Sequence, residues 1–309
     1  MNYDFKNCTL CPRACGADRE TGVGFCGVSE KIKIARAALH MWEEPCISGK
    51  NGSGTIFFSG CPLHCVFCQN DVISCGDRGK EISEERLRQI CFELKSKGAH
   101  NINLVTPMHF APRIRAALLP IKKELALPIV VNTGGYDSLK QLSCFEGLAD
   151  IYLPDFKFSS PDLAALASHA PDYPQVCEEA LVEMLRQVGP PVFDSQGILQ
   201  KGLVIRHLIL PSHRKDSIAA LYRLAALFSP DQFLISLMSQ FSPRQDAAPP
   251  FHRSITTFEQ QSVLQIAKDL GFVGYFQDRA SASNDYIPPF DLTGVAPDTP
   301  LAQGLGTSG

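Results

Sequence analysis

Thr55-Ile56-Phe57-Phe58-Ser59-Gly60-Cys61-Pro62-Leu63-His64-Cys65-Val66-Phe67-Cys68-Gln69-Asn70 joins an apolar run, read as a buried strand, to a loop with three cysteines in C-x3-C-x2-C spacing. Gly60 and Pro62 disfavour a regular element, so the thiols leave the C-terminal end of the strand on a loop. Soft thiolates at these intervals can wrap a compact metal core, either iron-sulfur or zinc. The number of thiols is informative. A 4Fe-4S cubane normally takes four protein thiolates, and three would leave one iron for a substrate or cofactor. Two other readings use the same residues. Cys65-Val66-Phe67-Cys68 alone is a thioredoxin-like redox pair, and His64 with the three cysteines makes a Cys3His zinc set.

A second group lies upstream: Cys8, Cys11, Cys15 and Cys26, within Cys8-Thr9-Leu10-Cys11-Pro12-Arg13-Ala14-Cys15-Gly16 and Gly22-Val23-Gly24-Phe25-Cys26-Gly27. This segment has turn residues and no apolar periodicity, so a metal would supply stability that packing cannot. Four cysteines suit a structural zinc ion or a second, fully ligated cluster, and spacing does not choose between them.

The chain has 309 residues, 45% of them hydrophobic, and a net charge of -3, enough for one large α/β domain with an appendage. That charge argues against a general nucleic-acid or membrane-surface binder. The first residues show no apolar h-region, and no apolar run is long enough to span a bilayer. Twelve cysteines without a secretory signal point to thiolate ligands in a reducing cytoplasm.

Residues 1–53 read as a Cys-rich segment and connector, 54–280 as the main domain, and 281–309 as a tail. In the connector, Lys31–Ala38 is strand-like. Ser48–Gly54 is a turn, not a phosphate loop, because it lacks the G-x4-G-K-[ST] order. From Gly54, strands and helices alternate six times. The helices are expected at Ser83–Gly98, Ala111–Leu125 with Pro120 interrupting, Ser138–Phe145, Pro161–Val188, Lys215–Phe228 and Thr257–Leu270. Alternation with nearly continuous apolar strands predicts a parallel sheet covered by helices, and six repeats fall short of a closed eightfold barrel. The expected architecture is an α/β partial (β/α)6 barrel. The tail is expected to offer Ile287-Pro288-Pro289-Phe290 as a docking segment and to be disordered from about residue 295.

In such barrels function gathers at the C-terminal strand ends, which here carry Thr106 and His109, Asn132, Asp155 and Lys157, Arg206 and His207, and Gln240. These are candidate cofactor-binding residues, since charged and amide groups there can hold carboxylate, hydroxyl and adenine edges. Each has a plainer reading: Lys157 can snorkel from the mouth and His207 can be a satisfied core histidine. Trp42 and the Phe57-Phe58 pair read as core, and Cys46, Cys75, Cys91, Cys144 and Cys177 as buried free thiols.

With aromatic Phe67 before its last cysteine, the loop resembles the signature of the radical S-adenosylmethionine (SAM) superfamily. The resemblance covers roughly residues 54–276. It implies that a 4Fe-4S cluster held by Cys61, Cys65 and Cys68 chelates SAM and cleaves it to a 5'-deoxyadenosyl radical. It also implies a one-electron donor such as flavodoxin or ferredoxin. Within that superfamily the chain is similar to pyruvate formate-lyase activating enzyme. That family's Asp-Thr-Asn-Gly is similar to Asn132-Thr133-Gly134-Gly135, with an amide for the carboxylate, and its Asp-x-Lys stands intact as Asp155-Phe156-Lys157. Thr106-Pro107-Met108 replaces the Gly-Gly-Glu common in the superfamily. Hydrogen abstraction from a protein glycine or a small molecule is the implied activity. A non-enzymatic iron-sulfur carrier or a zinc-stabilised binding protein is the alternative.

Overall fold

The computed structural model describes residues 3–244, 247–277 and 288–297. Among these, ten strands form one sheet. Its long members are β1 (Lys33–His40), β2 (Ser53–Phe58), β3 (Ile102–Val105), β4 (Ile129–Thr133), β5 (Ile151–Pro154), β6 (Leu199–Leu208), β7 (Leu234–Met238) and β8 (Gly274–Phe276). Strands β2 to β8 lie parallel in chain order, each hydrogen-bonded to the next, and the sheet does not close. Consecutive parallel neighbours need a crossover between them, and the helices of the sequence pattern supply it. The partial barrel is therefore as expected, with a seventh parallel strand, β8, added at one edge.

The connector differs from expectation. Strand β1 pairs antiparallel with β2 from Ile34 opposite Phe58 to His40 opposite Ser53, so the boundary drawn at residue 53 falls inside the sheet. Between them the four-residue helix α1 (Pro45–Ser48) turns inward. Its Cys46 and Ile47 pack with Val130, Ile151, Leu153, Val204 and Leu234, closing the barrel floor.

The helices start where side chains satisfy their free N–H groups. Ser83 caps α2 (Glu84–Ser96), Ser138 and Gln141 form a capping box on α4 (Leu139–Ser143), and Thr256 and Glu259 another on α8 (Thr257–Asp269); α3 (Ala111–Leu118) and α7 (Arg214–Leu227) are further crossover helices. The helix expected over Pro161–Val188 is two, α5 (Pro161–Ser168) and α6 (Tyr173–Val188). His169 turns left-handed at φ 50°, and Pro171 cannot continue the first helix. This break places the C-terminal end of α5 beside the cysteine loop.

Residues 288–297 dock along β1. Leu292 N–H donates to Ala35, Ala37 N–H to Thr293, and Arg86 donates to the carbonyls of Gly294, Val295 and Ala296. Phe290 meets Phe57 edge-on, which supports the docking expectation for that residue. Residues 295–297 are thus held, against the expectation of disorder from 295, because Arg86 collects carbonyls no helix has satisfied. Ile287 and residues 298–309 lie outside the described residues. No helix among the described residues is long and apolar enough to cross a membrane.

Candidate iron-sulfur and cofactor site

Strand alternation decides which groups reach the barrel interior. On β4 to β7, Val130, Ile151, Leu153, Val204 and Leu234 face inward and pack on the floor, while Val131, Tyr152, Ile205 and Leu237 face the helices. The same parity sends Asn132, Asp155 and Arg206 inward above that floor. They line one cavity of about 230 Å³ together with Thr106, Lys157, Gln240, Cys61, Cys65 and Cys68.

His207 has the other parity: it is buried towards the helices, 2.6 Å from the Phe156 carbonyl. His109 is likewise buried, its Nε2 2.8 Å from Ser59 O. Neither histidine lines the cavity, so the cofactor contact expected of both is corrected by side-chain direction. Burial holds His109 down at about 3, with Arg19 adding to the fall, so it is a neutral structural ring at physiological pH.

The cysteine loop is fixed from several sides. Gly60 adopts φ 88°, and a Cβ there would come within 2.6 Å of Cys26 O. Cys61 N–H donates to Cys26 O, Val66 N–H to Ala167 O, and Gln69 Nε2 to Gln240 O. Phe67 packs with Phe158, Phe241 and Phe251 at centroid distances of 5.6–6.1 Å, so the aromatic residue anchors the loop. His64 is turned away at φ 47°, its Nε2 2.8 Å from Phe25 O and its ring edge-on to Phe25. That leaves the Cys3His set without its histidine.

Two donors aim at the thiols: Ser168 Oγ donates to Cys65 Sγ at 3.0 Å and Leu63 N–H to Cys61 Sγ at 3.4 Å. Burial pushes Cys61 up to about 11 and Cys68 up to about 12, with neighbouring cysteines adding to both. Burial also raises Cys65, against the pull of Lys157. Three desolvated thiols with hydrogen bonds to sulfur fit a thiolate-held cluster, whose irons stabilise the ionised form. Among the described residues no three Cys, His, Asp or Glu side chains are disposed to hold a single metal ion.

The polar part of the lining is an ionic network. Arg206 donates from Nε to Asp155 Oδ1 at 2.8 Å and from Nη2 to Asn132 Oδ1 at 2.6 Å, and Lys157 Nζ donates to Asp155 Oδ2 at 2.5 Å. Burial alone would raise Asp155, but Arg206 and Lys157 hold it below the usual carboxylate range. Burial would lower Lys157, and the Asp155 carboxylate outweighs that and raises it. Asp155 is thus an anion fixing two cations at the cavity wall.

Sequence reasoning missed the groups beneath. Glu43 and Glu44, just before α1, reach Arg206 from the barrel floor. Glu43 Oε2 is 3.8 Å from Arg206 Nη1, and Asn103 Nδ2 donates to Glu43 Oε1 at 2.9 Å. Burial raises both glutamates, against the pull of Arg206. Only their position before Pro45 marks them in the sequence. Thr106 is another surprise: a β-branched residue at φ 58° on the cavity wall, a conformation costing on the order of 1–3 kcal/mol.

The N-terminal cysteines are also brought together. The Cys8 carbonyl accepts from Gly16 N–H and its amide donates to Ala17 O, so Cys8 and Cys15 lie on adjoining rungs with Cys11 on the turn between. Cys8 and Cys26 are buried, Cys11 is half-buried and Cys15 is exposed. Burial pushes Cys11 up to about 11, and Cys26, Cys8 and Cys15 are all near enough to add to the rise. Arg13 ties this segment to the other loop. Its Nε donates to Pro62 O at 2.8 Å and its Nη2 to Ser168 O at 2.7 Å, and its guanidinium lies 4.6 Å from the Phe25 ring centroid.

Residues 47–147 match the profile of the 4Fe-4S single cluster domain family. That stretch contains Cys61, Cys65 and Cys68 and stops short of Asp155. The uncharacterized protein MJ0674 of Methanocaldococcus jannaschii is 27% identical over 274 residues, covering 85% of this chain and 75% of its own. Among solved structures, SuiB of Streptococcus suis bound to its precursor peptide SuiA aligns with a TM-score of 0.49 at 10% identity, over 72% of this chain and 48% of SuiB. Methylornithine synthase (PylB) aligns with a TM-score of 0.49 at 18% identity, over 69% and 60%. The chain thus spans about half the length of SuiB and three-fifths of PylB.

Proposed function

We propose that this chain is a radical SAM enzyme in which Cys61, Cys65 and Cys68 hold a 4Fe-4S cluster facing the SAM pocket. The observation that carries this reading is that one cavity is lined both by the three thiols and by the Asn132, Asp155, Lys157 and Arg206 network, with Lys157 close enough to Cys65 to act on its charge. When bound, cluster and SAM would supply one-electron cleavage of a sulfonium and a 5'-deoxyadenosyl radical. The chain's own part is positioning. Lys157 and Arg206 present cationic donors to a carboxylate, Asp155 keeps both protonated and aimed, and Asn132 and Gln240 add neutral donors and acceptors. A mere electron carrier has no use for such a lining.

All twelve cysteines are free, which suits a reducing cytoplasm, and a flavodoxin- or ferredoxin-type protein would be the one-electron donor. The narrower reading, hydrogen abstraction from a protein glycine as in glycyl-radical enzyme activation, is supported by the intact Asp155-Phe156-Lys157 and by a barrel that does not close. The test of the main reading is anaerobic reconstitution followed by dithionite and SAM. 5'-Deoxyadenosine should form in wild type and drop to background in Cys61→Ala. No product above that control defeats the reading.

A further inference from the structure

Arg19 is 1% exposed, yet no carboxylate pairs with it among the described residues. Its donors go to the carbonyls of Val28 at 3.2 Å, His109 at 2.9 Å and Ser29 at 2.6 Å, and to Cys8 Sγ at 3.8 Å. The Phe5 and Phe110 rings flank it. A buried guanidinium with only neutral partners is costly, and natural structures place an anion beside it. The sulfur it touches belongs to the four-cysteine group, whose thiols are free and within electrostatic reach of one another. Thiolates bound to a cluster would supply the missing negative charge, and a cationic donor on a ligand sulfur is a known lever on cluster potential.

We propose that Cys8, Cys11, Cys15 and Cys26 are the four ligands of a second 4Fe-4S cluster, with Arg19 as its buried counter-charge. Four protein thiolates leave no open iron, so this cluster binds no substrate; its place is structural and electronic. It abuts the first site through Cys61 N–H to Cys26 O, through His64 Nε2 against Phe25 O, and through Arg13, which spans both loops.

The test is iron, zinc and acid-labile sulfide per chain after anaerobic reconstitution, with electron paramagnetic resonance (EPR) of the dithionite-reduced protein. Wild type should hold about eight irons and eight sulfides, four of each per cubane. Cys11→Ala/Cys15→Ala and Cys61→Ala/Cys65→Ala/Cys68→Ala should each hold about half. The reduced triple variant should show an EPR signal that SAM does not shift. Because a variant can misfold, wild type must also show two reduced signals, of which SAM shifts one. One zinc per chain with about four irons, or iron content unchanged in Cys11→Ala/Cys15→Ala, overturns the proposal. Iron lost entirely in the triple variant overturns it too and leaves the SAM reading standing. Wild-type iron retained in the triple variant instead defeats the SAM reading and leaves the second cluster.

Discussion

The barrel-mouth cysteines and the N-terminal cysteines are built from the same ligand chemistry and differ in what faces them. Cys61, Cys65 and Cys68 share one cavity with the fixed charges of Asp155, Lys157 and Arg206. Of the N-terminal four, Cys8 and Cys26 are buried, with the Arg19 guanidinium on Cys8, while Cys11 is half-buried and Cys15 exposed, and none of the four lines that charged cavity. The lesson is that ligand count sets what a metal-thiolate site can hold, and the surrounding wall sets whether anything else can bind there.

Substitutions that erase this contrast should have the largest effect. Asp155→Asn removes the only charge that compensates both Lys157 and Arg206 at the open site, although Glu43 stands near the latter. Breaking a buried ion pair from one side costs about 3–5 kcal/mol, so the melting temperature should fall. Calorimetric SAM binding should weaken at least tenfold. Unchanged binding would mean that the cationic wall does not face SAM.

The bridge between the two regions sharpens the comparison. Arg13→Ala deletes hydrogen bonds to Pro62 and Ser168 and frees the serine that donates to Cys65. A destabilisation of about 2 kcal/mol is expected from lost charge-assisted bonds in a partly buried place. The EPR line shape of the SAM-sensitive cluster should change with it. A change in stability with an unaltered spectrum would show that Arg13 holds the fold and not the cluster environment.

Asp137 gives the most conditional effect, one confined to a pH window. Burial raises its carboxyl to about 7 in the fold against an ordinary 3.8, although Thr133 donates to it. A raised folded value means the group favours folding most below about pH 4, and that contribution is lost as pH rises through about 7. Asp137→Asn should therefore flatten the decline in stability between those limits. An identical pH slope in wild type and variant, by urea titration, would remove Asp137 from the account.

How much could be read beforehand follows from the range of the interactions. The cluster loop and the alternating strands are local patterns, legible as spacing and periodicity. Asn132, Asp155, Lys157 and Arg206 were legible as polar strand ends. Choosing Arg206 over its neighbour His207 needed the parity of β6, which continuous apolar strands hide. Glu43, Arg13 and Ser168 act across dozens of residues of sequence, and nothing local marks them. Strand β1 was recognisable as a strand, while its partner was not, because antiparallel pairing to β2 depends on α1 turning back through the barrel floor.

The central claim, one iron left open to SAM at Cys61, Cys65 and Cys68, is tested most directly by EPR of the reduced Cys11→Ala/Cys15→Ala variant, which isolates that site. Adding SAM should shift the cluster's g values and yield 5'-deoxyadenosine. A spectrum indifferent to saturating SAM would contradict it.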